Sequence, residues 1–348
     1  MHLASVRMVG IGPFDDVVVP FCHDDGEPRL VTVVHGGGGV GKTSLLTAIS
    51  MTRPGHCIVP PPALANSAAS PQVVTEFRLG QDDPDRPHPL CLATPNARVF
   101  EDDDAEVLRR REQALFDKMA REGGFVFVSF GASRWFSRQP IALSSPLRSV
   151  ARYDVRGASA FDDASRADLA RETKQALAYA AITGALTAGS EGQREFGALA
   201  AAMAHAVDAL VGLSGFKYLG VEPRSLEPRF TDAEDSEVFF DALPTRARHL
   251  VAMAVLTVRA LWAAYPGRDP RCAEAVVEID EVDLHQDETV LAGLVPALRR
   301  ALPMVQWIVT TTSAVVAASC DASDVLALRK ATERRGVDLY FGASARTH

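Results

Sequence analysis

A run of four glycines followed by Lys-Thr constrains this chain more than any other feature of its sequence. The run lies in LVTVVHGGGGVGKTSLLTAIS, residues 30–50, in which Gly36 and Gly41 frame the pattern GxxxxGK[ST]. A β-branched apolar stretch precedes the glycines and predicts a strand, and apolar residues recur after them with helical spacing. A strand, a glycine loop and a helix in this order predict a loop that wraps around phosphate.

Each residue type in this loop has a chemical reason to be there. Glycines let the main chain curl so that successive N–H groups face a phosphate at a helix N-terminus. Lys42 is expected to reach the β- and γ-phosphates, and the Thr43 hydroxyl to ligate Mg²⁺. A glycine-rich turn without a ligand is the alternative, and the agreement of strand, spacing and helix counts against it. The predicted nucleotide-binding residues are Gly36, Gly37, Gly38, Gly39, Val40, Gly41, Lys42, Thr43 and Ser44.

The composition narrows the class of protein. The chain has 348 residues, of which 47% are hydrophobic and 23% charged, as in an ordinary globular protein. The formal charge of −8 predicts no general attraction to nucleic acid or membrane. The cysteines show no metal-binding spacing, and no signal core is visible. The most apolar helical pattern, Leu250–Ala264, contains Arg259 and is expected to be too short to span a bilayer, so we predict a cytoplasmic protein.

The second informative stretch is RCAEAVVEIDEVDL, residues 271–284, a strand-like run that ends in Asp280 and Glu281. After a phosphate loop it predicts a Walker B strand, in which Asp280 holds Mg²⁺ and Glu281 is the general base toward water. Glu278 lies inside the strand, where a carboxylate without a partner would be costly. The competing interpretation is a nuclease-like cluster of carboxylates, which would consist of Asp280, Glu281, Asp283 and Asp287. It is disfavoured because Mg²⁺ needs few protein ligands.

A buried strand is predicted at 125–130, and five arginines recur after it. They form either a phosphate- or partner-binding rim or an ordinary charged surface. The five are Arg134, Arg138, Arg148, Arg152 and Arg156.

Stretches taken in chain order resemble the ABC-type ATPases of the SMC, RecF and OLD group, in particular short bacterial members without a coiled-coil arm. The opening MVGIGPFDDVVVPF is similar to the first strands of that family, and GGGGVGKTSLLTAI to its Walker A motif. FVSFGASRW resembles a strand and loop of small members, EIDEVDLH the Walker B motif and D-loop, and IVTTTSAVVAAS the switch strand. The resemblance implies an α/β P-loop NTPase with an ABC-ATPase-type core, in which a parallel sheet is joined by N-terminal antiparallel strands and an inserted helical lobe.

The resemblance also implies roles for single residues. Lys42 and the catalytic base Glu281 would act on ATP, whose Mg²⁺ would be bound by Thr43 and Asp280. Asp283 matches the D-loop aspartate, which acts across a dimer interface. The histidine that senses the γ-phosphate in the family is replaced here by Thr312, whose hydroxyl can donate one hydrogen bond but cannot carry a positive charge.

Two further family motifs are altered or ambiguous. The best match to the signature motif is LPTRA, 243–247, with Pro and Arg where Ser and Gly are expected. Either Thr245 and Arg246 reach a partner's γ-phosphate, Arg246 as an arginine-finger-like group, or this loop no longer touches nucleotide. For the Q-loop glutamine, both Gln72 and Gln139 are candidates.

These patterns predict a single domain with three parts. They are an N-terminal nucleotide-binding part (1–135), an inserted, mainly helical lobe (136–245) and a C-terminal part (246–348) with the Walker B and switch strands. By family analogy, the resemblance implies an ATP-dependent homodimer that hydrolyses ATP slowly and switches a separate effector protein, as in ATPase–effector pairs of bacterial phage defence or stress response. The alternative is a RecF-like, ATP-dependent DNA-binding protein, while a transporter cassette is disfavoured because it needs an intact signature motif and Q-loop.

Overall fold

The computed structural model describes residues 1–66, 70–138, 141, 167–189, 192–331 and 336–347, and its elements within these ranges are numbered in chain order. The strands are β1 (His2–Ile11), β2 (Phe14–Pro20), β3 (Val31–His35), β4 (Thr52–Arg53), β5 (His56–Cys57), β6 (Gln72–Arg78), β7 (Leu90–Ala93), β8 (Val126–Phe130), β9 (Arg134–Trp135), β10 (Ala167–Asp168), β11 (Lys217–Val221), β12 (Pro228–Thr231), β13 (Glu237–Phe239), β14 (Ala275–Ile279), β15 (Val305–Thr311), β16 (Val325–Lys330) and β17 (Val337–Phe341). The α-helices are α1 (Lys42–Met51), α2 (Asp103–Glu122), α3 (Ala170–Leu186), α4 (Gln193–Val211), α5 (Thr245–Ala264), α6 (Glu288–Ala301), α7 (Ala314–Ala318) and α8 (Ala343–Thr347).

A six-stranded sheet forms the centre of the fold, with the strand order β17-β16-β3-β15-β14-β8. Its five strands from β16 to β8 are parallel, and β17 is antiparallel to β16. The parallel strands are almost continuously apolar because both faces of the sheet are covered. The predicted mixed α/β fold with a parallel-dominated sheet is confirmed. Its parallel strands bring the ends of β3, β14, β15 and β8 to one edge, where a ligand site is expected.

One face of this sheet packs against α1 and a second, antiparallel sheet with the order β2-β1-β6-β7. The N-terminal antiparallel strands that the resemblance implies are therefore confirmed as part of a four-stranded sheet. Apolar residues of β1 and β6 share one core with the buried face of α1, including Leu45, Leu46 and Ile49. This core fixes the start of α1 over the carboxyl edge of the central sheet.

The other face of the central sheet packs against α3, α4, α5 and α6, which contribute to one continuous apolar core. A small antiparallel sheet of β11, β12 and β13 lies beside α3 and α4. Part of the segment 136–245 lies outside the described residues, so the division into three parts stays a prediction.

Two of the described helical segments are long and apolar enough to cross a membrane, Glu195–Ser214 and Thr245–Ala264. The expectation that the second is too short was wrong, because α5 is five residues longer at its N-terminus than the pattern 250–264. In this fold 83% of the apolar stretch of α5 is buried among other elements, as in the central helix of a globular domain.

Candidate nucleotide-binding site

The glycine loop connects β3 to α1 at the carboxyl edge of the central sheet. The N–H group of Gly36 donates to the carbonyl oxygen of Thr311 on the neighbouring strand, at 3.3 Å. A Cβ atom at Gly36 would lie 2.5 Å from the carbonyl oxygen of Leu328, so a larger residue would displace the main chain here. At residues 37–39 a Cβ would meet nothing within 4 Å, which leaves open space on that side of the loop. The loop is therefore anchored at its base and open along its middle.

Gly41 has the conformation that most requires glycine, with φ 93°. A Cβ there would lie 2.5 Å from Pro13 Cγ, because the turn between β1 and β2 abuts the start of α1. Strands β1 and β2 thus lie beside the glycine loop.

Gly41→Ala is expected to lower the free energy of unfolding by about 2–5 kcal/mol, the sum of a left-handed alanine and an overpacked contact. Urea unfolding followed by circular dichroism measures this change. Gly38→Ala is the matched control, because its Cβ would stand in open space, and it should change the free energy of unfolding by less than about 0.5 kcal/mol. Equal effects of the two substitutions would contradict the loop conformation described here.

Lys42 opens α1 and folds back over the loop. Its Nζ donates to the carbonyl oxygens of Gly36 and Gly37, at 2.7 and 2.8 Å, and the side chain is 8% exposed. Burial lowers the pKa of this ammonium group, and the carboxylates of Asp280, Glu281 and Asp283 partly offset the effect. The cation therefore lies at the mouth of the loop, where phosphate oxygens can replace the two carbonyls as acceptors.

Thr43 and Asp280 meet although they lie 237 positions apart in the sequence. The Thr43 hydroxyl donates to Asp280 Oδ2 at 2.9 Å, and the Thr310 hydroxyl donates to Asp280 Oδ1 at 2.7 Å. Oxygen ligands of this kind fit Mg²⁺, which usually keeps several waters and phosphate oxygens beside one or two protein ligands. Among the described residues, no group of three His, Cys, Asp or Glu side chains that could hold a metal ion occurs.

Glu281 follows directly and is exposed at the edge of the sheet, with φ 49°. Its N–H group donates to Thr310 Oγ1 at 2.8 Å, and its carbonyl oxygen accepts a hydrogen bond from Arg134 Nη2 at 2.9 Å. Thr310 was not predicted as a site residue from the sequence. The pairing of Ile279 with Val309 in adjacent parallel strands places Thr310 next to Asp280, but that register is not evident in the sequence.

Asp283 and Thr312, predicted from separate motifs, contact each other. The Thr312 hydroxyl donates to Asp283 Oδ2 at 3.1 Å. The loop that carries Asp283 continues to His285, whose ring lies 5.1 Å from that of His249 on α5. The loop after β14 is thus joined both to the end of β15 and to α5.

Glu278 is fully buried in β14 and has a partner there. Its Oε2 accepts a hydrogen bond from the Ser50 hydroxyl on α1, at 2.7 Å. The expected cost of a buried carboxylate is reduced by this contact, which also joins α1 to β14.

Asp287 is not part of a carboxylate cluster. It caps the N-terminus of α6 by accepting from the Val290 N–H group at 3.2 Å, and it pairs with Arg246 at 2.8 Å. The competing nuclease-like interpretation therefore receives no support from the described residues. Arg246, which belongs to the altered signature segment 243–247, is thus paired within its own chain. Thr245 of the same segment accepts a hydrogen bond from Arg248 at 3.2 Å.

Of the two candidate Q-loop residues, the structure describes only Gln72, which lies away from the glycine loop. Gln72 begins β6 and pairs with Val9 in the antiparallel sheet, whereas Gln139 lies outside the described residues. The arginine rim is only partly described. Arg134 is buried and Arg138 is exposed. The remaining three lie outside the described residues: Arg148, Arg152 and Arg156.

Comparison with solved structures places this architecture among SMC heads. The chain is similar to an SMC head bound to the C-winged helix domain of ScpA, with 13% identity, 98% of each chain covered and a TM-score of 0.53. It is also similar to an Smc head with an extended coiled coil bound to the C-terminal domain of ScpA, derived from Pyrococcus furiosus, with 14% identity, 98% of this chain and 96% of that chain covered, and a TM-score of 0.51. No protein-family model matches the chain, and the search of curated proteins finds no match. At this level of identity the likeness shows the fold alone, which is that of an SMC head.

Proposed function

We propose that this chain binds ATP with Mg²⁺ and hydrolyses it. The observation that carries this proposal is the contact between Thr43 and Asp280, which unites the end of the glycine loop with the end of β14 at 2.9 Å. Two motifs that were inferred separately from the sequence meet at one edge of the sheet, beside the buried ammonium group of Lys42. An unrelated glycine-rich turn would not require this convergence.

The residues of the site would divide the work as follows. Main-chain N–H groups of the glycine loop and Lys42 would bind the phosphates. Thr43 and Asp280 would hold Mg²⁺, which when bound neutralises phosphate charge. Glu281 would accept the proton of the attacking water, since its carboxylate is exposed next to the metal-binding residues.

Hydrolysis is proposed to be slow or dependent on a partner. Thr312 supplies a hydroxyl in place of a cationic side chain, and in this structure that hydroxyl is bound to Asp283. Arg246, the arginine of the altered signature segment, is bound to Asp287 of its own chain. Both groups would have to exchange these partners before they could stabilise charge on the γ-phosphate.

We further propose that two copies close on ATP and that closure switches a separate effector protein in the cytoplasm, in bacterial phage defence or stress response. The two solved SMC heads with this fold are each bound to a part of a second protein, ScpA. A separate effector polypeptide is proposed here by analogy with these two complexes.

Purification together with the product of the neighbouring gene tests this proposal. We expect ATP and Mg²⁺ to shift the chain from monomer to dimer in size-exclusion chromatography with light scattering, and to change the amount of co-purified partner. ADP is the control nucleotide. Dimerisation without a partner, combined with salt-sensitive binding of duplex DNA, would favour the RecF-like alternative, in which Lys and Arg contacts to phosphate dominate.

A further inference from the structure

Arg134 lies behind the proposed catalytic edge and is 6% exposed. Its Nη1 donates to the carbonyl oxygens of Gly131 and Asp280, both at 2.7 Å, and its Nη2 donates to the carbonyl oxygen of Glu281 at 2.9 Å. One guanidinium group therefore joins the loop after β8 to two consecutive carbonyls of the loop after β14.

The third nitrogen of Arg134 connects the same group to α5. Its Nε donates to His249 Nδ1 at 3.3 Å, and His249 is 1% exposed. An imidazole can accept at Nδ1 only when that nitrogen carries no proton. Burial, followed by the charge of Arg134 and by His285 and Arg248, lowers the pKa of His249 to about 3, so the ring is neutral and can accept.

The geometry points to Arg134 as the positioning residue of the loop that carries Asp280 and Glu281, and to His249 as its connection to α5. This inference rests on the proposed function in so far as Glu281 acts on ATP. It replaces the interpretation of Arg134 as part of a surface rim, because the side chain faces inward and its contacts are to main-chain oxygens and a buried ring.

The loop needs such a support for a physical reason. Glu281 has φ 49°, a left-handed conformation that is unfavourable for a residue with a Cβ unless its surroundings hold it. The planar fork of an arginine can bind several acceptors in fixed directions, whereas a lysine ammonium is a single point with flexible reach. Without the fork, the carbonyls of Asp280 and Glu281 lose their shared donor and the Glu281 side chain is free to shift.

Arg134→Lys tests the inference, with Arg259→Lys as a matched control. Arg259 is also a buried arginine, lies on α5 and pairs with Glu172 at 2.6 Å, away from the glycine loop. We expect Arg134→Lys to lower kcat about 10- to 100-fold, as for a misplacement of about 1 Å, while ATP affinity stays within about twofold. Arg259→Lys should leave both quantities near the wild-type values.

Hydrogen exchange of the nucleotide-free protein provides a readout that does not depend on turnover. The amides of Asp280, Val282 and Leu284 are hydrogen-bonded to main-chain oxygens within or beside this loop, and they should exchange faster in Arg134→Lys but not in Arg259→Lys. Unchanged exchange, an unchanged kcat, or equal losses in both variants would overturn the inference. If the wild-type protein does not hydrolyse ATP but these amides exchange faster in Arg134→Lys, the proposed function is rejected and the positioning role of Arg134 is retained.

Discussion

Lys42→Met is expected to weaken ATP binding about 10²- to 10⁴-fold. The substitution keeps the length of the side chain and removes the ammonium group that now donates to the carbonyl oxygens of Gly36 and Gly37. Two charged hydrogen bonds to phosphate, at about 1.5–3 kcal/mol each, account for a loss of this size. Equilibrium titration with a fluorescent ATP analogue, with unlabelled ATP as competitor, measures it.

Lys118→Met is the control for a general loss of positive charge. Lys118 is an exposed lysine on α2, which packs beside β7 of the antiparallel sheet, and its removal should leave ATP affinity nearly unchanged. A thermal unfolding curve for each variant shows that the chain is folded. If Lys42→Met and the wild type bind ATP equally well, the phosphate-loop assignment is wrong.

The sequence predicted the loop well because its determinants are local. Glycines at fixed spacing, a Lys-Thr pair and flanking strand and helix patterns all lie within 21 residues, and the structure places them as one β3-loop-α1 unit. Gly41 combines a local and a distant reason for glycine, because its positive φ belongs to the loop whereas the close approach of Pro13 comes from the turn between β1 and β2. The Walker B carboxylates were likewise predicted from one strand and its end.

The residues that were missed or misjudged depend on contacts between distant segments. Thr310 supports Asp280 only because β14 and β15 are neighbours in one register, and several registers are compatible with two apolar strands. Arg134 resembles the arginines that follow it in the sequence, yet it is buried against main-chain oxygens whereas Arg138, the other described member of the five, is exposed. Local patterns report residue type and periodicity, whereas burial of a charged side chain is decided by the tertiary fold.

Glu281→Gln is expected to lower ATP hydrolysis about 10²- to 10⁴-fold, the usual contribution of a general base. The amide has nearly the same shape as the carboxylate but cannot accept the proton of the attacking water. ATP binding should persist, because the phosphate-binding residues are untouched. The ATP-bound form should therefore accumulate, and with it the proposed dimer, which light scattering after size-exclusion chromatography measures at micromolar protein.

Glu288→Gln is the matched control, since Glu288 is an exposed glutamate in the first turn of α6. It removes the same charge a short distance along the chain and should change neither hydrolysis nor association. Hydrolysis at the wild-type rate in Glu281→Gln would assign the base to another group. Loss of hydrolysis with ATP bound to a strictly monomeric chain would retain Glu281 as the base and reject self-association, so that closure on nucleotide would require the effector protein itself.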